Sequence, residues 1–231
     1  MPLNISKLGK ILKAVNRLEE IKEFNATLPV KIEVKKQINP IRYLIKLGNR
    51  EIETKSSIPL LIGKKYFAEI KENKNRLQIS NLKELPRLLE MMEKLEIKNT
   101  NEENSSLHSF GKQEILQHLS NSVSKFEFIF YTNMLMAYEQ KIHHLIINEK
   151  KKALMQYKYS KNKVKFYAIF NHLGELEGEI TENSLTVYSP YNATLQLINL
   201  YKDELSLELF LYKKEVSPLY NFSENLLNLK V

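Results

Sequence analysis

The 231-residue sequence contains no cysteine. That absence removes disulfides, thiol nucleophiles and cysteine-held zinc or iron–sulfur centres, and it fits a reducing compartment. Aspartate is nearly missing too, Asp203 being the only one, so a hydrolase or transferase site has little to be built from. Glycine is scarce, at six residues, while Lys, Asn, Ile and Tyr are plentiful, a bias expected of an AT-rich genome. Long apolar runs are also absent. The best one, 126–147, is interrupted by Glu139, Gln140, Lys141, His143 and His144, too early for a membrane span. Met1–Leu12 carries lysines but no apolar core followed by a small-residue cleavage site. The expectation is a cytoplasmic chain with no membrane-inserted segment.

What is present is ordinary for a folded protein: 43% hydrophobic and 27% charged residues. The formal net charge is +8, unevenly spread. Residues 1–98 hold 21 basic against 12 acidic side chains, whereas 171–231 hold 4 against 9. A basic front and an acidic end can attract each other, attract two different partners, or simply be solvated.

Periodicity divides the chain. In 4–24 the spacing of Ile5, Leu8, Leu12, Val15, Leu18 and Ile21 predicts an amphipathic helix that covers a sheet. Period two then runs through 28–82, with a Gly48–Asn49 turn signal, predicting about five short strands in a small barrel of OB-like or SH3-like size. Residues 83–98 return to helical spacing, and 99–111 is polar. The expected organisation is therefore an N-terminal unit (1–98), a linker (99–111) and a C-terminal unit (112–231).

In the C-terminal unit, Phe128, Tyr131, Leu135, Tyr138, Ile142 and Leu145 form a seam at alternating steps of three and four. This predicts one long helix, either a core element or a partner-docking face. Beyond it, 152–187 alternates over four strands, 191–204 is helical, and Leu207, Leu209 and Leu211 mark a last strand. The pattern is ββββαβ on an antiparallel or mixed sheet. The fold class expected for the whole chain is α+β.

The chemistry-bearing candidates are few. LGELEGE (173–179) contains two glycines, but no GK[ST] follows and its glutamates would repel phosphate. Glu175, Glu177 and Glu179 alternate with Leu176, Gly178 and Ile180, so all three carboxylates fall on one strand face, read here as a solvated outer face. The five histidines show no HExxH and no pair four apart. No GxSxG elbow occurs. No catalytic, cofactor-binding or metal-binding residue is assigned. Single-strand nucleic-acid binding is an alternative, through a basic barrel with Tyr43, Tyr66 and Phe67 stacking on bases.

Two stretches carry a resemblance. Residues 164–212, with Leu173-Gly174, then Leu176 and Ile180, then Leu185 and Val187, then Leu195, Ile198 and Leu205, are similar in order and spacing to the C-terminal domain of bacterial flagellar hook-length control proteins. Pro59-Leu60, Gly63, Phe67, Ile70, Leu77 and Ile79 resemble the small β-barrel that precedes that domain in many members. The resemblance implies docking on the cytoplasmic export gate of the flagellar type III apparatus and a part in switching its substrate class, with no catalysis. The long extended ruler region of that family is not expected here. The candidate partner-binding residues are Leu173, Gly174, Leu176, Gly178 and Tyr188, with Phe128, Tyr131 and Tyr138 on the helix seam. Export-gate or hook and cap components are the partners implied. The chain itself would be cytoplasmic, associated with that apparatus, or exported by it.

Overall fold

In the computed structural model, residues 5–18, 28–56, 58–73, 76–94, 107–148, 152–205 and 207–223 are described. The fold is α+β, built on two sheets. Strands β1 (Val30–Asn39), β2 (Arg42–Leu47), β3 (Arg50–Lys55), β4 (Lys65–Asn73) and β5 (Arg76–Glu84) form the first, in the order β3-β2-β1-β4-β5 with all neighbours antiparallel. The outer strands β3 and β5 approach each other without being hydrogen-bonded neighbours. Alternation decides what is inside: Ile32, Val34, Tyr43, Ile45, Leu60, Tyr66 and Ala68 form this sheet's core, while the intervening lysines face out.

The second sheet has seven strands: β6 (Leu107–Ser109), β7 (His143–Asn148), β8 (Lys152–Ser160), β9 (Lys163–Phe170), β10 (Gly174–Ile180), β11 (Ser184–Ser189) and β12 (Glu208–Lys213). They lie in chain order from β6 to β12, antiparallel until the last pair. There, helix α5 (Asn192–Leu200) carries the chain over, and β12 runs parallel to β11. This last connection is the crossover that a parallel pair requires.

Helix α1 (Ile5–Leu18) forms as its spacing predicts, with Leu8, Leu12, Val15 and Leu18 buried and Ile11 beside them. Ile21 lies outside the described residues. The sheet α1 covers is not the one that follows it. Its stripe joins α5 and the alternating set Met155, Phe166, Ala168, Leu176, Ile180, Leu185 and Val187 of the seven-stranded sheet. On the opposite face, α2 (Arg87–Lys94), α3 (Lys112–Ser120) and α4 (Lys125–Glu139) pack with Ile146, Leu154, Tyr167, Ile169, Val216 and Phe222, and Phe67 of β4 reaches the same cluster. One half of the large sheet is thus buried on both faces.

Two expectations are corrected. The seam from Phe128 to Leu145 is not one helix. Helix α4 starts on a capping box, in which Ser124 Oγ accepts from Glu127 N while the Glu127 carboxylate accepts from Ser124 N, and it ends at Glu139. Lys141 then takes φ +62° and Ile142 and Leu145 continue onto strand β7. The apolar run LIIN is equally compatible with helix and strand by periodicity. The backbone groups of β7 find partners in β6 and β8, and that pairing decides the outcome. For the same reason the polar 99–111 stretch contains strand β6, and 99–106 lie outside the described residues.

Candidate binding site

The LGELEGE stretch lies at the junction of the two sheets. Leu173 ends the β9–β10 turn with its carbonyl accepting from Thr194 Oγ1 at 2.9 Å. Gly174 follows at φ +73°, the left-handed region. A Cβ there would also lie 2.6 Å from the Tyr191 ring. From the other sheet, the Asn81 amide donates to the Pro190 carbonyl at 3.0 Å, Lys31 Nζ donates to Asn171 Oδ1, and Phe67 packs edge-on to Tyr191.

Glu175 corrects the outer-face reading. Its side chain is 1% exposed. Tyr167 O–H donates to Oε1 at 2.5 Å and Lys83 Nζ of β5 lies 2.8 Å from Oε2. The same ammonium donates to the Val216 carbonyl at 2.7 Å and lies 3.9 Å from Glu215. Part of the attraction between the basic front and the acidic end is therefore internal. Burial raises the Glu175 pKa above its ordinary 4.5, against the opposing pull of Lys83 and the Tyr167 hydrogen bond. Burial and the Glu175 charge together push the Tyr167 phenol far up.

The linkage sign follows from that direction. A carboxyl raised in the folded state favours folding most when protonated, below its ordinary value, and that contribution is lost as pH rises through the folded pKa. Glu175→Gln, which keeps the acceptor for Tyr167, is expected to gain stability relative to the wild type as pH rises from acid to neutral. Urea midpoints of the two proteins across that range test it, and a pH-independent difference would refute it.

His108, His118, His143 and His144 have defined packing or pairing partners. His144 is buried and accepts from Gln156 Nε2 at 3.3 Å. His143 stacks on Tyr157 with Tyr138 edge-on. His108 Nε2 lies 2.6 Å from Glu114 Oε1, with His118 at 3.8 Å and stacked on Tyr131. Among the described residues, no group of three His, Asp or Glu side chains is placed to hold a metal ion.

Among the described residues, an exposed aromatic surface lies on β11 and β12. Tyr188 stacks on Tyr212, centroids 5.7 Å apart, and with Phe210 and Thr186 they line a shallow depression of about 360 Å³. Tyr212 is 51% exposed and Phe210 38%. Register sets this arrangement: Glu177, Tyr188 and Tyr212 stand in one row across the sheet, and Lys158, Lys165, Glu179, Thr186 and Phe210 in the next. Lys214 Nζ sits 4.9 Å from the Tyr188 ring centroid and 3.7 Å from Glu177. Glu179 takes Lys163 at 2.6 Å and Lys165 at 3.6 Å. Both carboxylates are thus paired with lysines, and the aromatic faces are the distinctive feature. Such an arrangement supports aromatic anchoring of a partner within a polar rim.

The expected partner-binding residues divide between interior and surface. Leu173, Gly174, Leu176, Gly178 and Tyr131 are buried. Tyr188 lies in the aromatic depression, Phe128 is exposed on α4, and Tyr138 is half-buried beside His143. Phe210 and Tyr212 were not among them. Their signal was parity: in ELFLY (208–212) they occupy the positions between Leu209 and Leu211. Tyr43, Tyr66 and Phe67, the residues expected to stack on bases, are 1%, 7% and 0% exposed and belong to cores.

Comparison with protein-family models, curated proteins and solved structures finds no match. Among the described residues no helix is long and apolar enough to cross a membrane.

Proposed function

We propose that this chain is a non-catalytic adaptor that binds a protein through the open face of β11 and β12, and that it works at the flagellar or type III export apparatus. The observation that carries the binding mode is the stacked Tyr188–Tyr212 pair beside Phe210. Tyrosine and phenylalanine supply large contact area, and they anchor protein interfaces when ringed by polar groups. The mutual pairing of Glu177 and Glu179 with lysines favours a protein over a phosphate backbone, which needs unpaired cations. The export setting is supported by the order of Leu173-Gly174, Leu176, Ile180, Leu185 and Val187, similar to hook-length control proteins. In that setting the chain works on the cytoplasmic side.

A photo-crosslinking amino acid at Tyr212, in cells of the native host, tests the proposal. The expected adduct is with an export-gate, hook or cap protein, and it should vanish when Tyr188 and Phe210 are both serine. A nucleic-acid adduct would instead favour the single-strand reading, now through this face. An adduct insensitive to the serine substitutions, or none at all, would defeat the proposed interface.

A further inference from the structure

We propose that one end of the five-stranded sheet, formed by the β1–β2 turn and the β3–β4 loop, docks on an anionic lipid surface. The proposal is independent of the β11–β12 face. Five large aliphatic side chains stand in solvent there: Ile38 (44% exposed), Ile41 (53%), Ile58 (49%), Leu61 (58%) and Ile62 (62%). They come from two separate segments that the fold clasps together. Ser56 N donates to the Ile41 carbonyl at 2.9 Å, and Ser56 Oγ donates to the Ile58 carbonyl at 2.7 Å. The buried Tyr43 hydroxyl donates to the Pro40 carbonyl in the turn and accepts from Leu60 N in the loop, at 3.4 and 3.3 Å. Tyr66 O accepts from Leu61 N at 3.1 Å. The two tyrosines hold the loops from beneath and leave the aliphatic side chains pointing away from the core.

Charge identifies the occupant. Residues 34–49 and 54–68 contain no aspartate or glutamate, but they contain Lys35, Lys36, Arg42, Lys46, Lys55, Lys64 and Lys65. Lys35 and Lys64 reach outside these segments, to Glu33 and Glu84, and Lys46 and Lys65 flank Glu33 across the ladder, which leaves Lys36, Arg42 and Lys55 as the cations nearest the aliphatic tips. Arg42 stands directly across the ladder from Lys55, next to Ile41 and close to Ile58. Like charges facing each other across a strand pair are destabilising, and a layer of lipid phosphates and carboxylates relieves that repulsion. Aliphatic tips ringed by cations match the two layers of a membrane interface, acyl chains below and anionic headgroups above. A single-stranded nucleic acid fits less well, because base stacking needs exposed aromatic faces, and the tyrosines of this end point inward. No segment crosses the bilayer in this mode. Side chains alone enter it.

Co-sedimentation of the full chain with phosphatidylcholine vesicles, with and without phosphatidylserine, tests the proposal. Binding is expected only with phosphatidylserine, weakening at high salt. Ile41→Ser combined with Ile62→Ser should weaken it about tenfold or more, since each exposed aliphatic loses its share of burial. Arg42→Gln combined with Lys55→Gln should weaken it about tenfold or more as well, roughly fivefold per cation. The second variant removes a repulsion, so its thermal midpoint should equal or exceed that of the wild type, which separates lost docking from lost folding. Val123→Ser, at an exposed apolar residue elsewhere, should leave vesicle binding unchanged. The proposal is overturned by absence of binding to phosphatidylserine vesicles at low salt. It is equally overturned by binding that survives the serine substitutions, or by a single-stranded oligonucleotide binding in the same salt and losing affinity only in the charge variant.

Discussion

Gly178→Ala is expected to lose about 2 kcal/mol or more of stability, read as a fall of roughly 4–8 °C in thermal midpoint for a chain of this size. The reason is contact on both sides. A Cβ at Gly178 would stand 2.1 Å from the Thr186 carbonyl oxygen and 2.7 Å from the Phe166 ring. The carbonyl belongs to the neighbouring strand β11 and cannot move without opening the ladder. Phe166 is 3% exposed and enclosed by the α1 and α5 layer. Overpacking of this kind costs about 1–3 kcal/mol and sometimes more, while relief from glycine's backbone entropy returns at most about 1 kcal/mol. The clash wins. Gly111→Ser is the control: at a helix N-cap with nothing within 4 Å, it should hold or slightly raise the midpoint. Equal midpoints for Gly178→Ala and the wild type would show that β10 and β11 accommodate a methyl group.

Acid is expected to destabilise the protein through His144, by about 3 kcal/mol between neutral pH and two units below the ordinary histidine pKa. Burial, with a smaller contribution from His143, pushes His144 from 6.5 down to about 3. The direction means that the fold accepts only the neutral imidazole. Its contribution is fully present above 6.5, where the unfolded chain is also neutral, and is lost as pH falls toward 3, because the unfolded state then binds the extra proton. The surroundings explain the exclusion: Gln156 Nε2 donates to the ring, and Phe222 lies edge-on at 5.5 Å. His144→Phe should flatten the dependence of the urea midpoint on pH between 7 and 4.5, about 3 kcal/mol less steep than the wild type. An unchanged slope would place the acid sensitivity elsewhere. Glu175 works in the opposite direction over part of the same range, so the two variants together separate a carboxyl that prefers to be neutral from an imidazole that must be.

Periodicity made much of the architecture legible. Met155, Val164, Phe166, Ala168, Leu176, Ile180, Leu185, Val187, Leu209 and Leu211 were all readable as one apolar face, and they share one core. The other face was harder, because Leu154, Gln156, Tyr167 and Glu175 mix apolar and polar types, and the polar ones are buried against partners far away in sequence. A glutamate on a strand looks solvated until a lysine from another sheet arrives. The glycines were half legible. Gly174 has the positive φ that glycine permits at a turn, but the room Gly178 makes for Phe166 and the β11 backbone depends on cross-strand partners that its own position does not reveal. The aromatic depression follows the same logic: parity puts Phe210 and Tyr212 opposite the leucines, but only the parallel register of β12 on β11 stacks Tyr212 on Tyr188.

The placement of α1 has a consequence in time. This helix precedes the first sheet in the chain, yet its apolar stripe is completed by Leu176, Leu185, Leu197 and Ile198, which are synthesised long after it. At the usual pace of translation, roughly 5–20 residues per second, α1 waits on the order of ten seconds or longer after its own synthesis before its partners exist. During that interval Leu8, Leu12 and Val15 lack the core partners that bury them in the folded chain. Docking of α1 on its full core therefore follows the synthesis of β10, β11 and α5.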